Sequence, residues 1–421
     1  MDQRLERILS RVQKPARYAG GEYNAVMKNK HEVDLRFAFC FPDTYEIGMS
    51  NLGFRILYGV LNNMPGVWCE RVFAPWADME EEMRAAGLPL FALESGDPVG
   101  AFDMIGFSVG YEMAYTAMLN MLDLAGLPLR SQDRPDLRPL IVAGGTAMYN
   151  AEPVADFIDL ALIGEGEELL PEVAALFRRA KGEGWDKPRF LREAARIQGV
   201  YVPSLYDITY NPDGTVRAIT PREGAPEKVV KRVVHHMDSA YYPAKTIVPS
   251  TEIVHDRVTL EVFRGCIRGC RFCQAGYVYR PVRCRSREVL ARYGREAVCD
   301  SGYQEMTLSS LSTSDYPELV GLCDDLAPFC EENHVNLSLP SLRADNFSME
   351  LMQRLQKGRK AGLTFAPEAG TQRLRDAINK NVTEEALTES LRTAFAGGWN
   401  SVKLYFMLGL PTETDEDVLG I

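Results

Sequence analysis

The chain has 421 residues, 46% hydrophobic and 25% charged, the make-up of an ordinary folded protein and more than one core usually holds, so two domains are expected. A net charge of −11 argues against a general nucleic-acid-binding surface. Nine cysteines, an odd count, and a charged start with no apolar stretch of signal or membrane-spanning length point to reduced thiols in a cytoplasmic protein, with no membrane partner.

Residues 1–32 read as a helical extension, with Leu5, Ile8, Leu9 and Val12 at helical spacing. From residue 33 to 185, short apolar runs alternate with amphipathic stretches. Strands are expected at Leu35 to Phe41, Arg71 to Ala74, Leu88 to Leu93, Met104 to Val109, Leu140 to Ala143 and Leu160 to Ile163. Helices are expected at Gly53 to Leu61, Tyr115 to Leu124 and Glu167 to Arg179. This alternation implies a parallel sheet covered on both faces, whose ligands meet the loops at the carboxyl ends of the strands. Residues 186–250 read as a linker or small connecting subdomain, with a short helix, a hairpin around Asn211-Pro-Asp-Gly214 and four later prolines. His235 and His236 fit a polar linker pair better than metal ligands, because no Cys or carboxylate cluster accompanies them.

Alternation resumes over residues 251–421. Strands are expected at Val258 to Phe263, Glu305 to Leu308, Asn336 to Leu339, Leu363 to Phe365 and Ser401 to Met407. Helices are expected at Arg287 to Cys299, Glu318 to Glu332, Met349 to Gln356 and Glu384 to Ala396. Thr414 and Asp417 have capping-box spacing, yet few residues follow them, so the barrel is expected to be truncated before its last strand. Five scattered cysteines, Cys40, Cys69, Cys299, Cys323 and Cys330, are expected to be small buried hydrophobes.

The most informative run is Arg264-Gly-Cys266-Ile-Arg-Gly-Cys270-Arg-Phe-Cys273. Three thiolates on one turn leave a cubane iron–sulfur cluster one iron short of full protein ligation, free to bind a small molecule. Structural zinc would need a fourth ligand, and Cys284, eleven residues beyond Cys273, is poorly spaced for it. Nine arginines lie between Arg264 and Arg295, with Glu261, Glu288 and Glu296 the acids in or beside the stretch. They could offset the charge of a thiolate-ligated cluster, hold a phosphate-bearing substrate, or form a solvated face.

The C-x3-C-x2-C spacing, with Phe272 before the third cysteine, resembles the radical S-adenosylmethionine (SAM) superfamily. The longer string, with Cys273-Gln-Ala-Gly276 and Tyr279-Arg-Pro-Val-Arg283, is similar to a subgroup that joins a cobalamin-binding-like domain to the radical SAM domain. The fold implied is α/β: an N-terminal Rossmann-like domain of cobalamin-binding type, then an incomplete (β/α)6 radical SAM barrel. The resemblance implies that Cys266, Cys270 and Cys273 hold a [4Fe-4S] cluster, whose open iron chelates SAM for reductive cleavage to a 5'-deoxyadenosyl radical. It sets the Phe272 backbone and the Gly409 loop near adenine, Ser309 and Ser310 near the amino group, Arg343 at the carboxylate and Glu368 toward the ribose. Asp43-Thr-Tyr45-Glu-Ile-Gly48 resembles the D-x-H-x-x-G signature of cobalamin-binding domains, with Tyr45 where histidine would ligate cobalt. Histidine ligation from this loop is excluded, while cobalamin stays open as a further cofactor. Ser108, Gly144, Gly145, Gly164 and Glu165 fall where that family contacts the nucleotide tail and corrin.

With cobalamin, methyl transfer to an unactivated carbon would be available. A reducing protein of flavodoxin or ferredoxin type is the expected partner, and the substrate is undetermined. A second reading is RNA modification of methylthiotransferase-like type, with RNA as substrate. It is disfavoured because residues 1–250 hold only Cys40 and Cys69, too few for that family's second cluster. A third reading is a non-catalytic zinc-binding scaffold.

Overall fold

The computed structural model describes residues 2–339, 343 and 363–421. The expected helix Met349 to Gln356 lies outside them. The chain packs as two compact units, residues 1–234 with 246–255, and residues 235–245 with 256–421.

The first unit opens with α1 (Gln3–Leu9), capped by the Asp2 carboxylate, which accepts the Arg4 N–H. Its Leu5 and Ile8 join the unit's core. Then follow β1 (Leu35–Phe41), α2 (Tyr45–Met49), α3 (Leu52–Asn62), β2 (Val67–Phe73), α4 (Ala77–Ala86), β3 (Met104–Ser108), α5 (Ala114–Leu124), β4 (Leu140–Gly144), β5 (Leu160–Leu162), α6 (Gly166–Glu183), α7 (Lys187–Ala194), β6 (Val200–Tyr201), β7 (Tyr206–Tyr210) and β8 (Val216–Pro221). The sheet order is β2-β1-β3-β4-β5-β6, with β6 alone antiparallel. Every residue of β2 is buried, as both-face coverage demands. Phe54 of α3 stacks on Phe39 of β1 with ring centroids 4.4 Å apart, one of many aromatic burials worth about 1.5–3 kcal/mol each. β7 and β8 form the expected antiparallel hairpin.

Two local expectations fail here. Leu88 to Leu93 is not a strand: Leu90 donates to Leu124 O, Ala92 to Asp97 O and Leu93 to Arg71 O, and Phe91 makes one isolated bridge to Pro98. Its apolar residues are buried, but its backbone bonds are scattered over a helix end, a loop and a single carbonyl of β2, too few and too irregular to make a ladder. The helix α4 was not expected. The run Glu80-Glu81-Glu82 hides its apolar stripe, which is carried by Met79 and Met83 four residues apart.

The second unit holds β9 (Val258–Glu261), β10 (Phe263–Arg264), α8 (Ala275–Val278), β11 (Arg283–Cys284), α9 (Arg287–Ser301), β12 (Glu305–Ser309), α10 (Leu319–Glu332), β13 (Asn336–Ser338), β14 (Leu363–Glu368), α11 (Gln372–Ala377), α12 (Glu384–Ala396), β15 (Val402–Phe406) and α13 (Asp415–Leu419). Strands β13-β12-β9 form a parallel sheet, and β14 and β15 a parallel pair. Repeated βα units with parallel strands are the pattern expected of the incomplete (β/α)6 barrel, here in two separate sheets among the described residues. The capping box forms: Asp417 accepts the Thr414 N–H, and Thr414 caps the first turn of α13. Cys40, Cys69, Cys323 and Cys330 are buried, and burial pushes the Cys330 thiol up to about 11. Cys299 corrects the expectation. It is exposed, on the outer face of the last turns of α9.

Candidate functional site

The cysteine loop is closed at its neck by the antiparallel pair β10–β11, which sets Phe263 opposite Cys284 and Arg264 opposite Arg283. Cys284 is therefore a neck residue. Gly265 adopts φ +89, and a Cβ there would stand 2.7 Å from Pro281 O, so the close neck requires glycine. Cys266, Cys270 and Cys273 are each partly exposed along the loop. The Arg268 N–H is donated to Cys266 Sγ and the Gly276 N–H to Cys273 Sγ, both at 3.4 Å. Amide donors aimed at sulfur suit thiolate ligands of a cluster. Among the described residues, no three His, Cys, Asp or Glu side chains, Cys266, Cys270 and Cys273 included, are gathered on a single ion position.

Two anchors hold the loop. On one side the Arg271 N–H is donated to Ile378 O at 3.0 Å and Asn379 Nδ2 to Gly269 O at 2.8 Å. On the other, the Arg268 guanidinium forms a two-pronged pair with Asp315, its Nε 2.9 Å from Oδ2.

Phe272 packs against an apolar cluster of Ala369, Leu374, Ile378 and Leu410. Beside it, Lys380 Nζ lies 2.9 Å from Glu368 Oε1 and 5.9 Å from the centre of the Phe272 ring. Arg343 Nη2 donates to Lys380 O at 3.2 Å, and the Arg343 N–H to Ser314 Oγ at 3.2 Å. The backbone of Glu368 is left-handed, φ +72, at a bulge in the β14–β15 pair, a conformation that costs a non-glycine residue energy and is enriched at functional sites. The structure thus brings together Phe272, Arg343 and Glu368 from the sequence expectation and adds Lys380. Gly409 has φ +80 and lies in the turn after β15, where its N–H is donated to the Glu413 carboxylate. Ser309 ends β12 opposite Glu261. Ser310 Oγ lies 3.0 Å from Thr313 Oγ1 and accepts the Ser312 N–H, which is turn chemistry.

The nine arginines do not present a common basic face. Arg264 pairs with Glu261, Arg268 with Asp315, Arg287 with Asp325 and Arg292 with Glu296. Arg271, Arg280, Arg283, Arg285 and Arg295 donate to backbone carbonyls. These forks staple the loop and its flanking helices to their own chain.

At the strand ends of the first unit, Asp43 accepts the Thr44 N–H at 2.7 Å and the Tyr111 hydroxyl at 2.8 Å. Tyr45 turns inward. It is 1% exposed, and its hydroxyl donates to Glu22 Oε1 at 2.9 Å. Burial, with Glu22 beside it, pushes the Tyr45 phenol well above its ordinary value. Glu165 accepts the Val234 N–H at 2.6 Å, and Gly164 (φ +112) bridges to Arg232 so closely that a Cβ would stand 2.2 Å from Arg232 O. The segment 231–234 therefore occupies the end of β5. Ser108 and Gly144 are partly exposed, opposite each other across β3 and β4, and Gly145 is exposed with φ +106. Beyond Gly145 and beside Ile163 opens a cavity of about 500 Å³ lined by Met148, Tyr149, Glu152, Tyr201 and Tyr206. His235 and His236 are exposed.

Residues 53–203 match the N-terminal domain of radical SAM proteins, and residues 260–421 match the radical SAM superfamily. An uncharacterized protein of Methanocaldococcus jannaschii is 27% identical over 384 residues, spanning 90% of this chain and 71% of that protein. Among solved structures, the radical SAM methyltransferase TsrM of Kitasatospora setae, with cobalamin and a [4Fe-4S] cluster bound, superposes with a TM-score of 0.61 at 15% identity, over 91% of this chain and 71% of TsrM. OxsB, a cobalamin-dependent SAM radical enzyme with aqua-cobalamin and SAM bound, gives a TM-score of 0.59 at 16% identity. That match spans 92% of this chain but only 51% of OxsB. Both likenesses concern the fold alone, a mixed α/β architecture shared with radical SAM enzymes that contain cobalamin-binding domains. The matched family implies a [4Fe-4S] cluster and SAM, and the cysteine loop has the donors for them. The chain belongs to the radical SAM superfamily and is an enzyme of that family.

Proposed function

We propose that this enzyme holds a [4Fe-4S] cluster on Cys266, Cys270 and Cys273, which when bound supplies one electron to split the C5'–S bond of SAM, giving methionine and a 5'-deoxyadenosyl radical that takes hydrogen from a substrate. One observation carries the reading: all three cysteines lie on one loop closed by the β10–β11 neck, with two backbone amides aimed at their sulfurs. Around that loop, Arg343 and Lys380 supply cations for the SAM carboxylate, the planar fork of Arg343 suiting a planar acceptor. Glu368 serves the ribose hydroxyls. Phe272 and the Gly409 turn form the adenine wall, and Ser309 and Ser310 lie toward the amino group. A flavodoxin- or ferredoxin-type protein delivers the electron.

For the first unit we infer a cobalamin-type role. The partly open ends of β3 and β4, at Ser108, Gly144 and Gly145, would meet the ligand through backbone. Asp43, Tyr45, Gly164 and Glu165 are engaged within the protein and would act on it only through the shape they give the loops. With cobalamin in place, the reaction class is methyl transfer.

The test is anaerobic purification of the wild type and Cys270→Ala, with iron, sulfide, zinc and cobalt analysis. About four irons per chain and SAM cleavage are expected in the wild type only. Cleavage that survives Cys270→Ala refutes the reading, and one zinc in place of iron supports the scaffold.

A further inference from the structure

Arg268 stands between the first two cysteines and is held at three points. Its N–H reaches Cys266 Sγ at 3.4 Å, its carbonyl accepts Arg280 Nη2 at 3.1 Å, and its guanidinium grips Asp315 through two nitrogens. Asp315 belongs to the loop after β12 and its side chain is only 5% exposed. Its Oδ2 also accepts the Ser312 hydroxyl at 2.7 Å, so the carboxylate is oriented before it meets Arg268. The pair spans 47 residues of sequence and ties the cysteine loop to the strand end that carries Ser309 and Ser310.

We propose that Asp315 is a positioning residue for the cluster, acting through Arg268. It fixes the direction of the amide donor to Cys266 and keeps the loop in its ligating conformation before and after metal arrives. This rests on the cluster reading above. The opposite anchor joins neutral bonds, such as Asn379 to Gly269, to an exposed contact of the Arg271 guanidinium with Ala377 O, and holds no ion pair among the described residues. The Asp315 anchor is a part-buried, two-pronged ion pair, which is stronger and more directional. Outer partners of this kind typically change metal affinity 10–100-fold, and hydrogen bonds to cluster sulfurs tune its potential.

The experiment uses the full chain, reconstituted anaerobically with iron and sulfide, as wild type, Asp315→Asn, Asp315→Glu, Arg268→Gln and Cys270→Ala. Iron release to an excess chelator and the cluster's midpoint potential are followed, with far-ultraviolet circular dichroism to verify the fold. Asp315→Asn is expected to load the cluster, release iron about tenfold faster than wild type and shift the potential, with Asp315→Glu restoring most of both. Arg268→Gln, which leaves the Asp315–Ser312 bond in place, is expected to reproduce the loss and serves if Asp315→Asn does not fold. Wild-type release and potential in either folded variant overturn the proposal while leaving the cluster reading intact. A wild type that takes up no cluster, or a Cys270→Ala that keeps one, overturns the reading and the proposal with it.

Discussion

The Tyr45 hydroxyl donates to Glu22 Oε1 at 2.9 Å, and Glu22 receives Nη1 and Nη2 of Arg71 at 2.9 and 2.8 Å, while Arg71 Nε reaches Glu94 at 2.7 Å. The side chain that stands where a cobalt-ligating histidine would be thus closes a buried charge network joining the N-terminal segment, α2 and β2. In this chain the segment Asp43 to Gly48, which runs into α2, is structural on its inner side.

Removing the shared cation should be costly. Arg71→Met leaves two buried carboxylates without a counter-charge and should destabilise the first unit by roughly 3–5 kcal/mol, whereas Tyr45→Phe, losing one bond to a charged acceptor, should cost about 1.5–3 kcal/mol. Urea unfolding monitored by tryptophan fluorescence checks both. A loss in Arg71→Met no larger than in Tyr45→Phe would contradict the network.

The same network sets a pH dependence. Burial pushes the Glu22 carboxyl up, but Arg71 outweighs it and holds it below its ordinary value near 4.5. A depressed carboxyl adds stability that is complete above the unfolded value and disappears as pH falls through the folded one. In Arg71→Met that depression is gone, so the acid-unfolding midpoint should move to higher pH. Circular dichroism against pH gives the answer, and an unmoved midpoint would count against it.

Gly145 and Gly164 should not accept alanine. Their φ values are +106 and +112, and a Cβ would stand 2.4 Å from Val109 O and 2.2 Å from Arg232 O. Each substitution should lower stability by more than about 1 kcal/mol. Gly164→Ala should also expose the 231–234 segment to limited proteolysis, which a purely local strain at Gly145 would not do.

Lys380 offers a test of the SAM pocket separate from the cluster. Lys380→Met should keep full iron content yet bind SAM about tenfold more weakly, near 1.4 kcal/mol, in equilibrium dialysis. Unchanged affinity would remove Lys380 from the site.

Because the arginines of the cysteine loop are committed to carboxylates and carbonyls, RNA should be held weakly, roughly 1 μM or worse at physiological salt. Filter binding with total transfer RNA measures this. Tight, steeply salt-dependent retention would revive the RNA-modification reading.

Local order was legible without coordinates. β1 has the bounds expected from its apolar run, the Asn211 to Gly214 turn joins a hairpin, Thr414 and Asp417 form their capping box, and the three cysteines share one loop. Each of these signals lives within a few residues, where backbone periodicity, turn geometry and ligand spacing are written directly in residue type. The tertiary structure alone decided the rest. It denied Leu88 to Leu93 a continuous strand ladder, turned Tyr45 into the core, laid 231–234 over Gly164, spent the arginines internally, and placed Lys380 on Glu368 and Asp315 on Arg268. Those outcomes depend on which distant group a charge or an unpaired backbone meets once water is excluded. A sequence pattern constrains what a side chain can do, but only packing chooses its partner.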